Sequence, residues 1–246
     1  MFKKAAAFDG PLMTYALIAG CCLLFLLSPV AGLAPPDGDR SELLRAQADY
    51  FARWGVVPAR LWDGPLSTAL TPLTALFVHG NWLHLLGNML FLLVFGAMAE
   101  ARLGRLRFLL CYLTAGYLAL LGFAIAHADS AQPLVGASGA ISGVLGAFLV
   151  LFPRARVTSL FPFLFFLPLR FPAYLVLPFW CTLQWLAVRQ AGPRPGVAYL
   201  AHLIGFGLGF LYALARWRSR PGPQVTRGRR ARVNGPVQAT EGDSQP

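Results

Sequence analysis

The sequence predicts an all-α membrane protein with six transmembrane helices, and three observations carry that expectation. Of 246 residues, 57% are hydrophobic and only 13% charged, with a mean hydropathy of +0.57; soluble domains run at about 25% charged. The apolar residues gather into runs near the roughly 20 residues that a helix needs to cross a ~30 Å hydrocarbon core. The basic residues fall mostly at the ends of those runs instead of on one amphipathic face.

Six stretches qualify as spans: 11–33, 80–99, 108–127, 137–152, 172–190 and 197–215. The first follows a short segment, 1–10, that carries Lys3 and Lys4. A cleaved signal peptide competes for it, because Gly32-Leu33-Ala34 offers small residues for cleavage. Pro35 would follow that cut, and the run is long enough to span, so a retained helix is expected. Residues 34–78 form a long outer loop, an unusual length for a compact protein. Within it, Ser41 to Trp54 reads as a capped amphipathic helix, with Leu44, Ala48 and Phe51 at helical spacing. Its apolar face is expected on the outer leaflet.

The second span opens on His79-Gly80-Asn81-Trp82-Leu83-His84-Leu85-Leu86-Gly87-Asn88 and leads through a loop at 100–107 to the third. The fourth is short, with Leu134, Val135 and Pro153 blurring its ends. Residues 157–171 are also apolar, but Pro162 and Pro168 interrupt them and Pro172 follows. Proline breaks a helix interior, so this stretch reads as an interfacial re-entrant or lead-in segment. After the fifth and sixth spans comes a basic tail, 216–246, rich from 219 onward in Arg, Gly, Pro and Gln and expected to be disordered. Its Arg227-Gly228-Arg229-Arg230-Ala231-Arg232 cluster suits an anchor beside anionic lipid, and nucleic acid is not an expected partner. The four cysteines, Cys21, Cys22, Cys111 and Cys181, all sit in apolar runs, so no disulfide framework is implied.

Orientation follows from charge. With the N-terminus cytoplasmic, the inner segments hold fifteen of the 21 Lys and Arg residues. The positive-inside bias therefore places both termini in the cytoplasm, and a bacterial inner membrane is the expected location.

Spans two, four and six then all start at the outer face, and each carries costly polar side chains near that start. His84 and Asn88 are four apart and share one helical face. Ser138 opens span four in Gly136-Ala137-Ser138-Gly139, and span six reaches His202 in Ala201-His202-Leu203-Ile204-Gly205 about six residues in. Polar groups at this depth are expensive to bury and are rarely there without a use. Small-xxx-small patterns at Gly139 with Gly143, Gly136 with Ala140, and Gly205 with Gly209 would let the helices pack closely. If spans four and six do so, Ser138 meets His202, which would activate its hydroxyl as a nucleophile. His84 and Asn88 would then face a developing oxyanion, with backbone N–H groups at the start of span four. Each residue also has a plainer reading: Ser138 as packing, His202 as an interhelical hydrogen-bond donor, His127 as an interfacial residue. Phe179, Trp180 and Trp185 read as lipid-facing or packing residues, and Glu100 and Arg102 as anchors of the inner end of span two.

These three motifs together resemble the rhomboid family of intramembrane serine proteases over roughly residues 74–212. The resemblance implies a six-helix rhomboid-like bundle over nearly all of 11–215. It implies Ser138 as nucleophile, His202 as general base in a dyad without aspartate, and His84 and Asn88 as oxyanion-hole side chains. His79 matches a structural histidine beside the site, and Glu100-Ala101-Arg102 is similar to a fold-stabilising Glu-x-Arg. The fifth helix and the loop 190–200 would form the substrate gate and cap. Some members carry a Trp-Arg pair in the outer loop, where this chain reads Ala69-Leu70-Thr71-Pro72-Leu73-Thr74.

The function expected from residues and resemblance together is a serine endopeptidase. It would cut single-span membrane proteins near the outer face of the lipid bilayer, with no metal and no organic cofactor. The competing readings are a non-catalytic membrane chaperone or trafficking factor on the same fold, and a haem or metal transporter using His79, His84 and His202.

Overall fold

The computed structural model describes residues 10–33, 40–62, 64–161, 167–190 and 197–218 and is mostly helical. Helix α1 (Leu12–Leu26) precedes α2 (Arg40–Trp54), and the short helices α3 (Pro58–Leu61) and α4 (Thr71–Thr74) lead to α5 (Trp82–Phe91). A π-helical stretch, Leu92–Gly96, joins α5 to α6 (Ala97–Leu103), so 82–103 runs as one 22-residue helix. There follow α7 (Arg105–Ala126), α8 (Ser138–Leu151), strands β1 (Arg156–Phe161) and β2 (Leu167–Pro172), α9 (Ala173–Gln190) and α10 (Tyr199–Arg218).

Among the described residues, three helices are long and apolar enough to cross a membrane: Trp82–Leu103, Arg105–Ala126 and Tyr199–Arg216. Helices α1 and α8 are apolar but shorter. Large apolar side chains are exposed on α5, at Leu83, Leu86 and Leu90, and on α9, at Leu175, Phe179 and Leu186.

Helix α8 is the central post. Its sequence is apolar on every side, and ten consecutive residues, Gly139 to Phe148, are buried, as expected of a helix surrounded by others. Helix α10 lies against it along a stripe of small buried residues, Ala201, Gly205, Gly209 and Ala213. A Cβ at Gly205 would fall on the carbonyl oxygen of Gly139, and one at Gly209 on that of Gly143. This is the close backbone approach that small-residue patterns allow. Gly136 does not extend that pattern as Gly136 with Ala140: it lies ahead of α8 with φ +125°, a conformation that glycine tolerates and other residues strain to adopt.

Helix α1 is built into the core, with Thr14, Leu17, Cys21 and Phe25 buried. Its first N–H groups, left over by helix geometry, are met by a buried carboxylate from α6. Glu100 accepts from the backbone N–H of Met13 at 2.9 Å and of Thr14 at 2.7 Å, and from the Thr14 hydroxyl at 2.8 Å. An acidic group there also suits the positive end of the helix dipole. Ala34 and Pro35 of the cleavage reading lie outside the described residues.

Several local expectations need correction. The loop expected at 100–107 shrinks to Gly104 alone, whose φ of +85° turns the chain between α6 and α7 in one residue. The described parts of the stretch 157–171 form an antiparallel ribbon, in register from Arg156 opposite Pro172 to Phe161 opposite Leu167. Pairing satisfies backbone groups that an apolar re-entrant coil would leave bare, and both strands of a two-stranded ribbon are edges, where proline is tolerated. Helix α2 starts at Arg40, so Ser41 lies in its first turn instead of capping it. Leu43, Gln47, Tyr50 and Phe51 are half-buried on the protein side, while Leu44 and Ala48 face outward. The Gln47 amide donates to the Pro29 carbonyl at 3.2 Å and ties α2 to the end of α1. The N-terminal lysines, the basic tail from 219 and the cap residues 191–196 lie outside the described residues.

Candidate active site

The segment entering α8 is pinned from two sides. Val56 and Leu134 exchange backbone hydrogen bonds of 2.9 and 2.7 Å, and the Gly136 N–H donates to the Ala75 carbonyl at 2.9 Å. Ser138 therefore starts α8 at a fixed point, with no side-chain cap on the helix N-terminus. Its neighbour one turn on, Ser142, donates its hydroxyl to the Ser138 carbonyl at 2.7 Å and is buried. That hydroxyl is committed to the helix, as serine within a helix often is.

Because Ala201 packs on α8, the next residue, His202, stands at the edge of the α8–α10 seam. It sits in the fourth position of α10, shallower than the six residues expected, because the helix begins at Tyr199. Its Nε2 lies 2.8 Å from Ser138 Oγ and its Nδ1 lies 2.8 Å from Gln184 Oε1 on α9. The imidazole is also stacked with Trp180, ring centroids 6.2 Å apart and planes 28° apart.

The opposite wall comes from α5. Asn81 caps it, its Oδ1 accepting from the His84 N–H at 2.8 Å. The Gly80 N–H donates to His84 Nδ1 at 3.3 Å, so in the neutral ring the proton resides on Nε2. That nitrogen points at Gly136: a Cβ built there would lie 2.7 Å from His84 Nε2 and 3.8 Å from Asn88 Nδ2. The Asn88 amide nitrogen is buried with no hydrogen-bond partner among the described residues. His79, just before the helix, is 1% exposed, donates Nδ1–H to the Phe77 carbonyl at 3.3 Å and meets the His84 ring edge-on at 5.2 Å. Burial, with His84 beside it, lowers its imidazole to about 4, so it is neutral.

These groups line one cavity of about 660 Å³, with Ser138, Ser142, His84, Asn88, Trp180 and His202 on its walls. Among the described residues, no carboxylate, lysine or arginine lines it, and no three His, Cys, Asp or Glu side chains converge as a metal site. Ser138, His202, His84 and Asn88 thus come together, Gly136 gives the backbone room beside His84, and Gly139 with Gly205 sets the helix spacing.

Two residues of this site were not singled out from the sequence. Trp180, read there as lipid-facing or packing, is half-buried and lines the cavity, whereas Phe179 and Trp185 are 60% and 51% exposed. Gln184 was passed over. The available signal was their spacing: one helical turn apart, with a costly amide in an apolar helix. His127, read as interfacial, also borders the cavity, its ring stacked on Phe123 at 4.0 Å.

A family model described as the Rhomboid domain matches residues 67–219. The protein "Rhomboid protein 1, mitochondrial" of Saccharomyces cerevisiae is 34% identical over 163 residues, which are 65% of this chain and 44% of that protein. "RHOMBOID-like protein 6, mitochondrial" of Arabidopsis thaliana is 31% identical over 151 residues, 56% of this chain and 42% of that protein. The matches span less than half the length of these two relatives. With that domain model covering more than half of its residues and with helices apolar enough to cross a bilayer, the chain belongs to the rhomboid family of multi-pass membrane proteins.

Proposed function

We propose that this protein is an intramembrane serine endopeptidase that cuts single-span membrane proteins near the outer interface. It would work as a six-helix bundle in a bacterial inner membrane with both termini in the cytoplasm. One observation carries the reading: the 2.8 Å contact between His202 Nε2 and Ser138 Oγ at the open start of α8.

The chemistry follows from that contact. His202 Nε2 takes the hydroxyl proton as Ser138 Oγ bonds to the carbonyl carbon of the scissile peptide. The carbonyl oxygen becomes an oxyanion beside Gly136, where His84 Nε2–H and the unpartnered Asn88 amide are donors, with N–H groups of the first turn of α8. As the C–N bond breaks, the imidazolium returns its proton to the leaving amine. Water, deprotonated by the same imidazole, then attacks the Ser138 ester, and the imidazolium returns that proton to Ser138 Oγ as the ester bond breaks and the new carboxyl end leaves. Ser142 is a poor rival nucleophile, because its hydroxyl donates to a helix carbonyl.

An activity-based fluorophosphonate probe tests the assignment. Wild-type protein in detergent is expected to be labelled and to cleave a model single-span substrate, and Ser138→Ala to do neither. Labelling and cleavage that survive the substitution would refute the serine mechanism. Wild type that binds substrate helices without labelling or cutting would favour the non-catalytic chaperone or trafficking role.

A further inference from the structure

The mechanism above leaves one polar contact unused. Gln184 reaches His202 from behind, with Oε1 2.8 Å from Nδ1, on the side of the ring away from Ser138. A neutral imidazole has two tautomers, and only the one with its lone pair on Nε2 can accept the Ser138 proton. In that tautomer Nδ1 carries hydrogen, and a buried N–H without an acceptor is costly. The Gln184 amide oxygen is the acceptor that the described residues supply.

The other groups around the imidazole do not replace it. Helix α10 offers Tyr199, edge-on at 6.3 Å; α9 offers Trp180, uncharged; α5 offers His84 across the cavity; α7 borders the cavity with Phe123 and His127; and α8 offers the hydroxyls of Ser138 and Ser142. None of these is a carboxylate.

We infer that Gln184 is a positioning residue that holds His202 in its Nδ1–H tautomer, with Nε2 aimed at Ser138, whenever α9 is packed against α10. Helix α9 is held mainly at its start. Its buried residues are Ala173 and Leu177, both in its first two turns. Farther along, the helix meets α10 through Gln184 on His202 and through Trp180, which faces His202 and Phe206. An outward swing of that half of α9 therefore withdraws the acceptor and releases the tautomer. The inference rests on the protease reading.

The test uses the full chain in proteoliposomes, a single-span substrate that wild type cleaves, and pH profiles of kcat and KM for Gln184→Leu and Gln184→Glu. Gln184→Leu keeps the bulk and loses the acceptor. It is expected to lower kcat roughly 10- to 100-fold, the range that follows from leaving one buried N–H unpaired, with KM and Tm near wild type. Gln184→Glu restores an acceptor and adds charge. It is expected to recover activity relative to Gln184→Leu, with the acid side of its profile moved to higher pH because a carboxylate favours the imidazolium. Wild-type kcat and pH profile in Gln184→Leu overturn the inference. So does loss of activity in both variants with matched falls in Tm, which marks a structural role. If Gln184→Leu does not fold, Gln184→Glu decides alone: an unmoved acid limb overturns the inference. Cleavage by Ser138→Ala in the same vesicles sinks the protease reading itself, whereas unchanged Gln184 variants beside an inert Ser138→Ala sink this inference only.

Discussion

The spacing between α8 and α10 should control activity more than stability, and Gly205→Ala isolates that effect. A Cβ at this position falls on the Gly139 carbonyl oxygen, one residue beyond Ser138. That carbonyl belongs to the helix with ten consecutive buried residues and has nowhere to go. Restoring an ordinary carbon–oxygen contact requires the two helices to part locally by roughly 1 Å. The same shift would stretch the Ser138–His202 contact from 2.8 Å to roughly 3.8 Å, outside hydrogen-bonding range. A misplacement of this size can cost about 100-fold in rate, while overpacking one methyl destabilises by only about 1–3 kcal/mol. Cleavage and fluorophosphonate labelling should therefore fall about 100-fold together, in protein that still shows a cooperative thermal transition. Gly207→Ala is the control: nothing lies within 4 Å of its would-be Cβ, and alanine is the better helix former by about 1 kcal/mol. It should keep wild-type activity at equal or higher Tm. A Gly205→Ala variant that cleaves at the wild-type rate would refute the claim that this seam sets the distance between hydroxyl and imidazole.

Other substitutions probe the parts separately. Glu100→Ala strips three hydrogen bonds from the start of α1 and should cost about 3 kcal/mol or more, since each stranded buried donor costs about 1–3. Thermal unfolding in detergent checks this, with Thr14→Val expected to lose only about 1 kcal/mol. Asn88→Ala should lower kcat by roughly 100- to 1000-fold with KM little changed, as loss of one oxyanion donor does; steady-state kinetics on a membrane substrate reads this directly.

How much of this was legible in the sequence depended on whether a signal was local. Ser138, His84, Asn88 and His202 stood out because each is expensive in an apolar helix, and the spacing of His84 and Asn88 fixes a shared face. The Ala201, Gly205, Gly209 and Ala213 stripe was half visible, as a glycine pair. Gln184 was not, because its partner lies 18 residues away on another helix, and a lone amide in an apolar run has many possible uses. Gly136 was misread for a related reason: its small size is used to turn the backbone beside His84, which no helical period encodes. The β1–β2 ribbon hid behind three prolines, which exclude a helix without declaring a strand pair. Gln47 ties α2 to the end of α1, a contact that no apolar spacing marks.

The distribution of burial suggests why these side chains are divided among helices as they are. Peptide bonds in a membrane-embedded substrate helix are satisfied within that helix, so a protease must admit the helix, unwind it and still keep nucleophile and base within 3 Å of each other. Those demands conflict if every wall of the site is equally mobile. On the protease reading the nucleophile stands on α8, the most enclosed element, and the base on α10, which lies against α8 along four small buried residues, with no room for a side chain at Gly205 or Gly209. Helix α9 is the loosely held wall, buried only at Ala173 and Leu177, and few buried contacts are what a low-cost local opening requires. The hydroxyl–imidazole distance can therefore stay constant while α9 moves. What α9 governs is the orientation of the ring, through Gln184, so that on this reading substrate admission and basicity at Nε2 are coupled through a single amide.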